Sequence, residues 1–356
     1  MPNTFSDPYA AFAFQVGLAA IGLTLLLVLA IVSLRIRLRT NLRREQIFIA
    51  IWRPLLLKAV SDDQSADSAV ALPVLRAGDQ LFFLKLWNYM QESLRGSAND
   101  RLNELVRRLG FEVAARRLLK KGKRAESLLA ALMLGHLRDT ASWEALAEQA
   151  GYPDTLASLH AARAMTKIDP LKATEQLLPL FLTRADWGIT QVASFLGESR
   201  QAFGLQLTKR IFTVNQQHWP RALQLANALR LDLPHKTMLL ILARSRSIES
   251  LVAALHLATG LPLLPTVRQF LHHPDSRVRV EVVRFLSSFG DETDILSLQQ
   301  LLLDSQWWVR YQAAQALASM PFFGLEALQA LRHQAPSTLV VDMLDHVLAE
   351  RNGLGV

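Results

Sequence analysis

The side chains that could do chemistry are few in this sequence and widely separated. Nine His are scattered, and the one adjacent pair, His272-His273, is unsuited to a shared metal because neighbouring helical residues point apart. There is no Cys, which excludes thiol catalysis, disulfides and Cys-based zinc or iron–sulfur sites. Phosphate-binding Gly loops, H-E-x-x-H and G-x-S-x-G are also missing, and no Asp/Glu cluster has ligand spacing. The sequence therefore predicts no catalytic, cofactor or metal site and a protein that is not an enzyme.

Tryptophan and arginine remain as side chains that could bind a partner. Trp187 and Trp308 each stand five residues before a recurring apolar motif, and Trp307 adjoins the second. Trp is enriched where protein partners dock, although a Trp at a helix start also fits a core position. Arg279 and Arg310 are equivalent to one another in the same motif. We select these five residues as candidate partner contacts and leave open whether the rings are exposed or buried.

The motif that positions them recurs along two thirds of the chain. Its clearest copy lies in residues 304–317, DSQWWVRYQAAQAL, where Val309, Ala313 and Leu317 form an apolar stripe at helical spacing. Aligned copies follow one another at intervals of 28 to 33 residues. They begin at Ala130, Ala161, Val192, Leu225, Ala253, Val282, Ala313 and Leu344. This period accommodates two short helices with their turns, and such a pair buries its apolar face only against neighbouring pairs.

The repeat resembles HEAT repeats and the similar HEAT-like repeats of bilin lyases. Val309-Arg310 is the best match and Val278-Arg279 the second. The resemblance implies an all-α solenoid of helical hairpins over residues 125–350, stacked in a right-handed sense. It also implies that an Arg such as Arg279 or Arg310 pairs with an Asp of a neighbouring repeat. Asp154, Asp186, Asp275 and Asp304 each precede a second helix, where we expect them to be N-caps.

The N-terminal part differs in composition. Residues 8–34 contain no charged side chain, and the nineteen residues 16–34 would span about 28 Å as a helix, the thickness of a bilayer core. Positive charges follow this run and none precede it, unlike a cleaved signal peptide. We therefore predict an external tail at 1–9 and one transmembrane helix at 10–34. The positive-inside rule puts the remainder in the cytoplasm, beneath a cell (inner) membrane.

The segments after the span are basic or polar. Residues 35–60 form a basic juxtamembrane segment that is interfacial or packed, with Arg35, Arg37, Arg39, Arg43 and Arg44 as its membrane-proximal charges. Residues 61–78 are predicted as a linker, 79–124 as a helical entry region and 351–356 as a frayed tail. Residues 101–124 hold nine Lys/Arg against two Glu, and we expect this cluster to lie against the inner leaflet. A solvated helix face is the alternative.

Three functions follow from these observations. The first is a membrane-tethered scaffold or adaptor that binds a membrane-associated protein, for example within an envelope-polysaccharide assembly. The second, implied by the resemblance, is a lyase or prosthetic-group handling protein. The third, nucleic-acid binding, is weakened because residues 125–356 sum to a net charge of about −1, although the whole chain carries +8. An anionic lipid surface remains a further partner.

Overall fold

The structure is a computed structural model that describes residues 8–61, 73–335 and 337–353, and it contains no strand among them. Residues 1–7 of the predicted tail at 1–9, residues 62–72 of the predicted linker at 61–78, and residues 336 and 354–356 lie outside the described part of the chain. The contacts divide the chain into two compact units, residues 1–137 and 138–356. The all-helical fold expected from the sequence is confirmed.

The first unit is built on one long helix, α1 (Pro8–Ser61), of 54 residues. It contains a segment, Phe14–Lys58, that is long and apolar enough to cross a membrane by length and composition, with a mean hydropathy of 2.6 and no buried residue in its most apolar window. A membrane anchor and a signal sequence both fit this pattern. The anchor and juxtamembrane segments of the sequence analysis thus lie in one continuous helix.

The C-terminal part of α1 packs inside the first unit. Phe48, Trp52, Leu56 and Val60, each four residues apart, are buried. Their partners are α2 (Gln80–Ser93) and α3 (Ser97–Arg108). Since the Trp52 ring meets Phe83 edge-on at 5.5 Å, it is a core side chain here. Of the two alternatives for residues 47–57, the packed helix is the one observed.

Two further helices complete the first unit, α4 (Phe111–Lys121) and α5 (Arg124–His136). Gly110 precedes α4 with φ 63°, a left-handed conformation that other residues adopt only at a cost. At Gly122, a Cβ would meet the carbonyl oxygen of Leu118 at 2.4 Å. These glycines end helices where the sequence predicts stops. Helix α5, which carries the first repeat motif, packs on α2 and α4 within this unit.

The second unit is a succession of helical hairpins. Its helices are α6 (Trp143–Ala150), α7 (Thr155–Ile168), α8 (Pro170–Thr183), α9 (Ile189–Leu196), α10 (Arg200–Arg210), α11 (Trp219–Ala228), α12 (His235–Arg244), α13 (Ile248–Leu257), α14 (Leu264–Arg268), α15 (Ser276–Phe289), α16 (Ile295–Leu301), α17 (Trp307–Ser319), α18 (Leu325–His333) and α19 (Thr338–Gly353). The odd-numbered helices from α7 to α19 each pack on the next odd-numbered one. They form the continuous layer of the repeat.

The predicted repeat register is confirmed by burial. All eight motif positions, from Ala130 to Leu344, lie in odd-numbered helices and are less than a tenth exposed. Small residues such as Ala161 and Ala313 let neighbouring helices approach closely, and interhelical distances of about 8–10 Å depend on such side chains. The apolar period therefore specified both the helices and the faces they bury.

The loops that lead from the even- to the odd-numbered helix of each pair lie along one side of the second unit, which we call the hairpin edge. Successive loops are joined to one another: Arg184 donates to the Tyr152 carbonyl oxygen at 2.6 Å, and Gln216 donates to the Arg244 carbonyl oxygen at 3.2 Å. The loops that connect one pair to the next form the opposite side, the return edge.

Two of the four predicted caps are wrong. Asp154 and Asp275 do accept hydrogen bonds from backbone N–H groups at the starts of α7 and α15. Asp186 instead pairs with Arg184 at 2.6 Å and accepts from Thr155 Oγ1 at 2.8 Å, because α9 begins three residues later, after Gly188. The Arg184 guanidinium and the Thr155 hydroxyl hold the pKa of Asp186 well below its usual range. Asp304 is the second exception.

Candidate functional site

Two adjacent tryptophans stand on the hairpin edge at the start of α17. Trp307 is 43% exposed and Trp308 67% exposed, the largest aromatic surface that the described part of the second unit offers to a partner. Because α17 begins at Trp307, both rings project from the first turn of the helix. The loop before them therefore decides where they point.

That loop is held by Asp304 and two arginines. Asp304 Oδ1 accepts from the Gln306 N–H at 2.8 Å, a turn that ends before the helix starts, so the predicted N-cap role is wrong. Arg279 from the preceding repeat donates to both carboxylate oxygens of Asp304 at 2.7 and 2.8 Å. Burial acts to raise the pKa of Asp304, but hydrogen bonds from Arg279 and the Gln306 N–H outweigh it and leave the pKa below its usual value.

The two candidate arginines thus hold loops together. The Arg279 side chain is 11% exposed and also donates to the His273 carbonyl oxygen at 2.7 Å. Arg310 makes the equivalent contact one repeat later, with the Asp304 carbonyl oxygen at 2.8 Å. The predicted pairing of an Arg with an Asp of the neighbouring repeat is observed for Arg279. Neither guanidinium is placed as a free partner contact.

The exposed tryptophans belong to a cluster of four rings. Trp307 stacks on Tyr311 with 5.0 Å between ring centroids and 10° between planes. Trp308 stands almost perpendicular to Trp307 at 4.7 Å. His346 of α19 lies 5.8 Å from Tyr311 and 6.4 Å from Trp307. The rings brace one another, so they offer a preorganised apolar surface that loses little conformational entropy on binding.

A polar network supports the cluster from below. The Tyr311 hydroxyl lies 3.0 Å from Glu350 Oε2, and Gln315 Nε2 donates to the Tyr311 hydroxyl oxygen at 2.6 Å. Burial and the Glu350 carboxylate raise the pKa of Tyr311. His346 Nε2 lies 3.3 Å from Glu350 Oε1. These contacts fix α19 against α17 beneath the exposed rings.

A shallow cleft of about 250 Å³ adjoins this network. Gln312, Gln315, Val347 and Glu350 line it, together with small residues of α15 and α17. Amide, carboxylate and methyl groups thus alternate in a recess beside the aromatic surface. Such a lining suits hydrogen bonds to a peptide backbone better than the enclosure of a reacting small molecule.

The structure separates Trp187 from the other candidates. Trp187 is fully buried, donates from Nε1 to Ser158 Oγ at 3.1 Å and packs on Phe181 at 5.9 Å. Its carbonyl oxygen also accepts a hydrogen bond from Arg221. The ring therefore belongs to the core, and the prediction that Trp187 contacts a partner is wrong.

The membrane-proximal arginines all lie on exposed parts of α1. Arg35, Arg37, Arg39 and Arg43 have no carboxylate at ion-pairing distance among the described residues, whereas Arg44 pairs with Asp79 at 3.2 Å. In the part of the chain that the structure describes, no three His, Asp or Glu side chains are grouped as metal ligands. His273 accepts a hydrogen bond from the Asp275 N–H at 3.1 Å.

Several members of the site were not among the residues predicted from the sequence. Tyr311 and Gln315 follow Trp307 at intervals of four on α17, and His346 and Glu350 show the same interval on α19. An i, i+4, i+8 pattern of rings and amides was the signal that could have found the first pair. Nothing local to α19 indicates that His346 reaches Trp307, because the two are 39 residues apart.

Part of the second unit matches a known repeat family. Residues 241–318, from α12 to α17, match the family model for HEAT repeats. Among solved structures the chain is similar to a crystal structure of an engineered protein from the Northeast Structural Genomics Consortium. The two are 18% identical, the alignment covers 83% of this chain and 87% of that chain, and the TM-score is 0.36. No curated protein sequence matches. Residues 241–318 are therefore similar to HEAT repeats, which stack helical hairpins as the second unit does.

Proposed function

We propose that the protein is a membrane-anchored, cytoplasm-facing scaffold or adaptor that binds a membrane-associated protein through the hairpin edge of its repeats. The observation that carries this proposal is the exposed, braced pair Trp307 and Trp308. Large aromatic side chains left exposed on a rigid support are enriched among residues that dominate binding energy at interfaces.

Binding without turnover is the second part of the proposal. The described residues offer an extended surface with a shallow cleft beside the aromatic cluster. The titratable groups of that cluster, Tyr311, His346 and Glu350, are engaged with one another and with Gln315. A reaction would need a positioned nucleophile and base that face a substrate, whereas a docking surface needs only shape and exposed anchors.

The anchor rests on the apolar half of α1. Its window combines high hydropathy with complete exposure, and a helix with that surface gains free energy by entering a bilayer. Five Arg follow the apolar run, which favours the cytoplasmic side for everything after residue 34. A tethered scaffold meets membrane-bound partners at a raised effective concentration.

The charges that would meet anionic lipid are those of residues 35–44. Helix α1 continues from Leu34 to Trp52, a rise of about 27 Å, and Trp52 contacts Phe83, whose ring meets Phe111 at 4.6 Å. In an untilted α1 the residues 35–44 are therefore nearer to the leaflet than Trp52 and the core around it. The expectation that the cluster at 101–124 lies on the lipid surface stays a prediction.

The scaffold proposal is tested by capturing the tagged full-length protein from solubilised membranes of its own cells. We expect Trp308→Ala to lose a co-purifying membrane protein that the parent retains. Leu261→Ala is the matched control, since Leu261 is 65% exposed but lies on the return edge. Both variants should keep the helicity of the parent.

If the partner co-purifies undiminished with the double variant Trp307→Ala and Trp308→Ala, the assignment of this surface is contradicted. Turnover of a small molecule by the purified protein, or a chromophore bound to it, would contradict the scaffold role itself.

A further inference from the structure

The middle of the second unit is strongly basic. Residues 200–246 contain eight Lys or Arg against one Asp, although the unit as a whole is close to neutral. The basic residues are Arg200, Lys209, Arg210, Arg221, Arg230, Lys236, Arg244 and Arg246. Acidic residues elsewhere in the unit balance these positive charges in the net charge of the unit. The electrostatic potential near residues 200–246 is nevertheless positive.

Two of these arginines have structural partners. Arg221 donates from Nε to the Phe181 carbonyl oxygen at 2.6 Å and from Nη2 to that of Trp187. Arg210 is paired with Glu175. The other six side chains are exposed and have no carboxylate at ion-pairing distance among the described residues. Those six are the charges available to a ligand.

The available charges divide between the two edges by their places in the helices. Lys209 lies in the last turn of α10, Arg244 ends α12 and Arg246 follows it, so these three stand on the hairpin edge. Arg200 begins α10, while Arg230 and Lys236 flank the loop between α11 and α12, which is on the return edge. The protein thus carries two groups of equal charge on opposite sides.

Contacts join the hairpin-edge group into one patch across two repeats. The Arg244 guanidinium lies over the Phe212 ring at 5.3 Å, and Phe212 follows Lys209 by three residues. Gln216 Nε2 donates to the Arg244 carbonyl oxygen at 3.2 Å. A ring that holds a guanidinium by a cation–π contact leaves its N–H groups free for an anion. We call Lys209, Phe212, Gln216, Arg244 and Arg246 the basic hairpin patch.

Nearby carboxylates are already engaged. Glu175 is the partner of Arg210, and Glu249, the next acidic residue after the patch, lies 3.7 Å from Arg277. Further along the same edge Asp186 is paired with Arg184, and Asp275 with Arg277 at 2.9 Å. Positive potential in the patch is therefore not cancelled locally, while the arginines on both flanks, Arg184 and Arg277, are neutralised by their carboxylates.

We propose that the basic hairpin patch binds an acidic polypeptide segment of the partner. The patch spans two neighbouring repeats, about 10 Å, which an extended peptide crosses in about three residues. A nucleic-acid strand places a phosphate at every step and would continue onto flanks whose arginines are already paired with carboxylates, which favours a short acidic peptide. This inference rests on the proposed scaffold function and names the chemistry of the partner.

The exposed amides suit the same ligand. Asn215 accepts from the Gln217 N–H at 3.0 Å, and the exposed amide of Gln217 is next in sequence to Gln216, whose amide donates to the Arg244 carbonyl oxygen. Amide side chains pair with a peptide backbone through both a donor and an acceptor. The guanidinium groups then select carboxylates, which they can hold in a two-pronged geometry.

The test uses the full-length protein in detergent micelles and a fluorescent 12-residue peptide of alternating Glu and Gly. Fluorescence anisotropy at about 0.05 M salt should show binding that weakens strongly near 0.3 M, because screening shortens the reach of exposed charges. The peptide with Gln in place of Glu should not bind. Arg244→Glu with Arg246→Glu should weaken binding by about tenfold or more.

Arg230→Glu with Lys236→Glu is the matched control, since it changes the net charge equally on the return edge. We expect less than a twofold effect there. Arg244→Gln with Arg246→Gln repeats the loss with neutral side chains, and unchanged helicity and melting show that each variant is folded.

Equal losses in the two charge-reversal variants, or no binding of the Glu peptide at low salt, would overturn the proposal. Tighter binding of a 12-nucleotide single strand than of the peptide, lost in the same variant, would replace the peptide by nucleic acid. Trp308→Ala should leave peptide binding intact, so failure of the patch and failure of the aromatic surface are distinguished.

Discussion

Trp187 and Trp308 occupy the same place in the repeat and have opposite surroundings. Each precedes its motif by five residues, yet Trp187 is fully buried and Trp308 is 67% exposed. The difference comes from the helix starts. Because α9 begins at Ile189, Trp187 lies before the helix and turns inward, whereas α17 begins at Trp307 and directs Trp308 outward. The helix thus begins six residues before the motif at Trp308 and three residues before it at Trp187, and this difference accompanies an exposed ring in one repeat and a core ring in the other.

Replacing the two rings separately should show this difference. Trp187→Ala removes a buried ring with its hydrogen bond to Ser158, and we expect a loss of about 3–5 kcal/mol in the free energy of unfolding. Trp308→Ala should change it by less than about 0.5 kcal/mol, as for an exposed site. Urea unfolding followed by circular dichroism measures both. Similar values for the two variants would contradict the assigned burial.

The repeat interior should reject a charge. Ala313 is fully buried in α17, which packs on both α15 and α19, so Ala313→Asp places a carboxylate without a partner between helices. We expect a loss of about 3 kcal/mol or more and a clearly lower melting temperature. Gln312→Asp, on the adjacent partly exposed position, is the control and should be much milder. A parent-like melt for Ala313→Asp would mean that the repeat register is wrong.

The Arg279–Asp304 pair should make stability depend on pH. The pKa of Asp304 is lower in the folded chain than in the unfolded chain, where an Asp has a pKa of about 3.9. Folding is therefore favoured by the ionised carboxylate above about pH 4, and this contribution is lost as pH falls through the folded-state pKa. Asp304→Asn leaves a largely buried guanidinium unpaired and should cost about 3 kcal/mol at pH 7.

The measurement is urea unfolding of the parent and Asp304→Asn between pH 7 and pH 3. The difference between the two should be constant above about pH 5 and shrink below about pH 4. Titration of the other paired carboxylates changes the free energy of unfolding of both proteins equally. The difference between the two proteins therefore reports on Asp304 alone. If the difference in the free energy of unfolding does not change with pH, ionisation of Asp304 does not contribute to stability.

At the scale of elements, the two parts of α1 differ in burial. Its residues 14–44 are all exposed, and its C-terminal part buries one face in the first unit through Phe48, Trp52, Leu56 and Val60. The helix is continuous over 54 residues, about 80 Å. Any orientation of α1 in a bilayer is therefore transmitted directly to the first unit.

Leu56→Asp should break the attachment between α1 and the rest of the first unit. Leu56 is fully buried, so an unpaired carboxylate there costs several kcal/mol, about 3 or more. Leu57→Asp is the control, because the neighbouring side chain is 42% exposed on the same helix. Limited proteolysis of the full-length protein should cut Leu56→Asp within residues 73–137 well before the control. Equal resistance would show that α1 does not stabilise this unit.

At the scale of the whole molecule, the membrane topology is the principal prediction. We expect one span, with the N-terminus outside and the repeats in the cytoplasm. A reporter that is active only outside the membrane, fused after the last residue, should be silent, and the same reporter fused before Met1 should be active. The reverse pattern would overturn the orientation, and release of the protein by carbonate washing would overturn the span.

The sequence by itself determined the class of fold and the repeat register. A period of about 31 residues with apolar pairs at helical spacing allows only stacked helical hairpins, and all eight motif positions are buried in odd-numbered helices. Glycines at Gly110 and Gly122 marked helix ends, because local backbone geometry requires them. Helix formation, the position of the apolar face and the helix ends each depend on residues within one or two helical turns of each other. They can therefore be predicted from the sequence.

Only the tertiary structure decided which of these side chains are exposed. The burial of Trp187 depends on Ser158 and Phe181, the cluster at Trp307 depends on His346, and the loop before it depends on Arg279 of the preceding repeat. The six available charges of residues 200–246 divide between two edges only once the helices are paired. Exposure and charge pairing are properties of neighbours that the chain brings together from about thirty residues away, since each repeat is completed by the next.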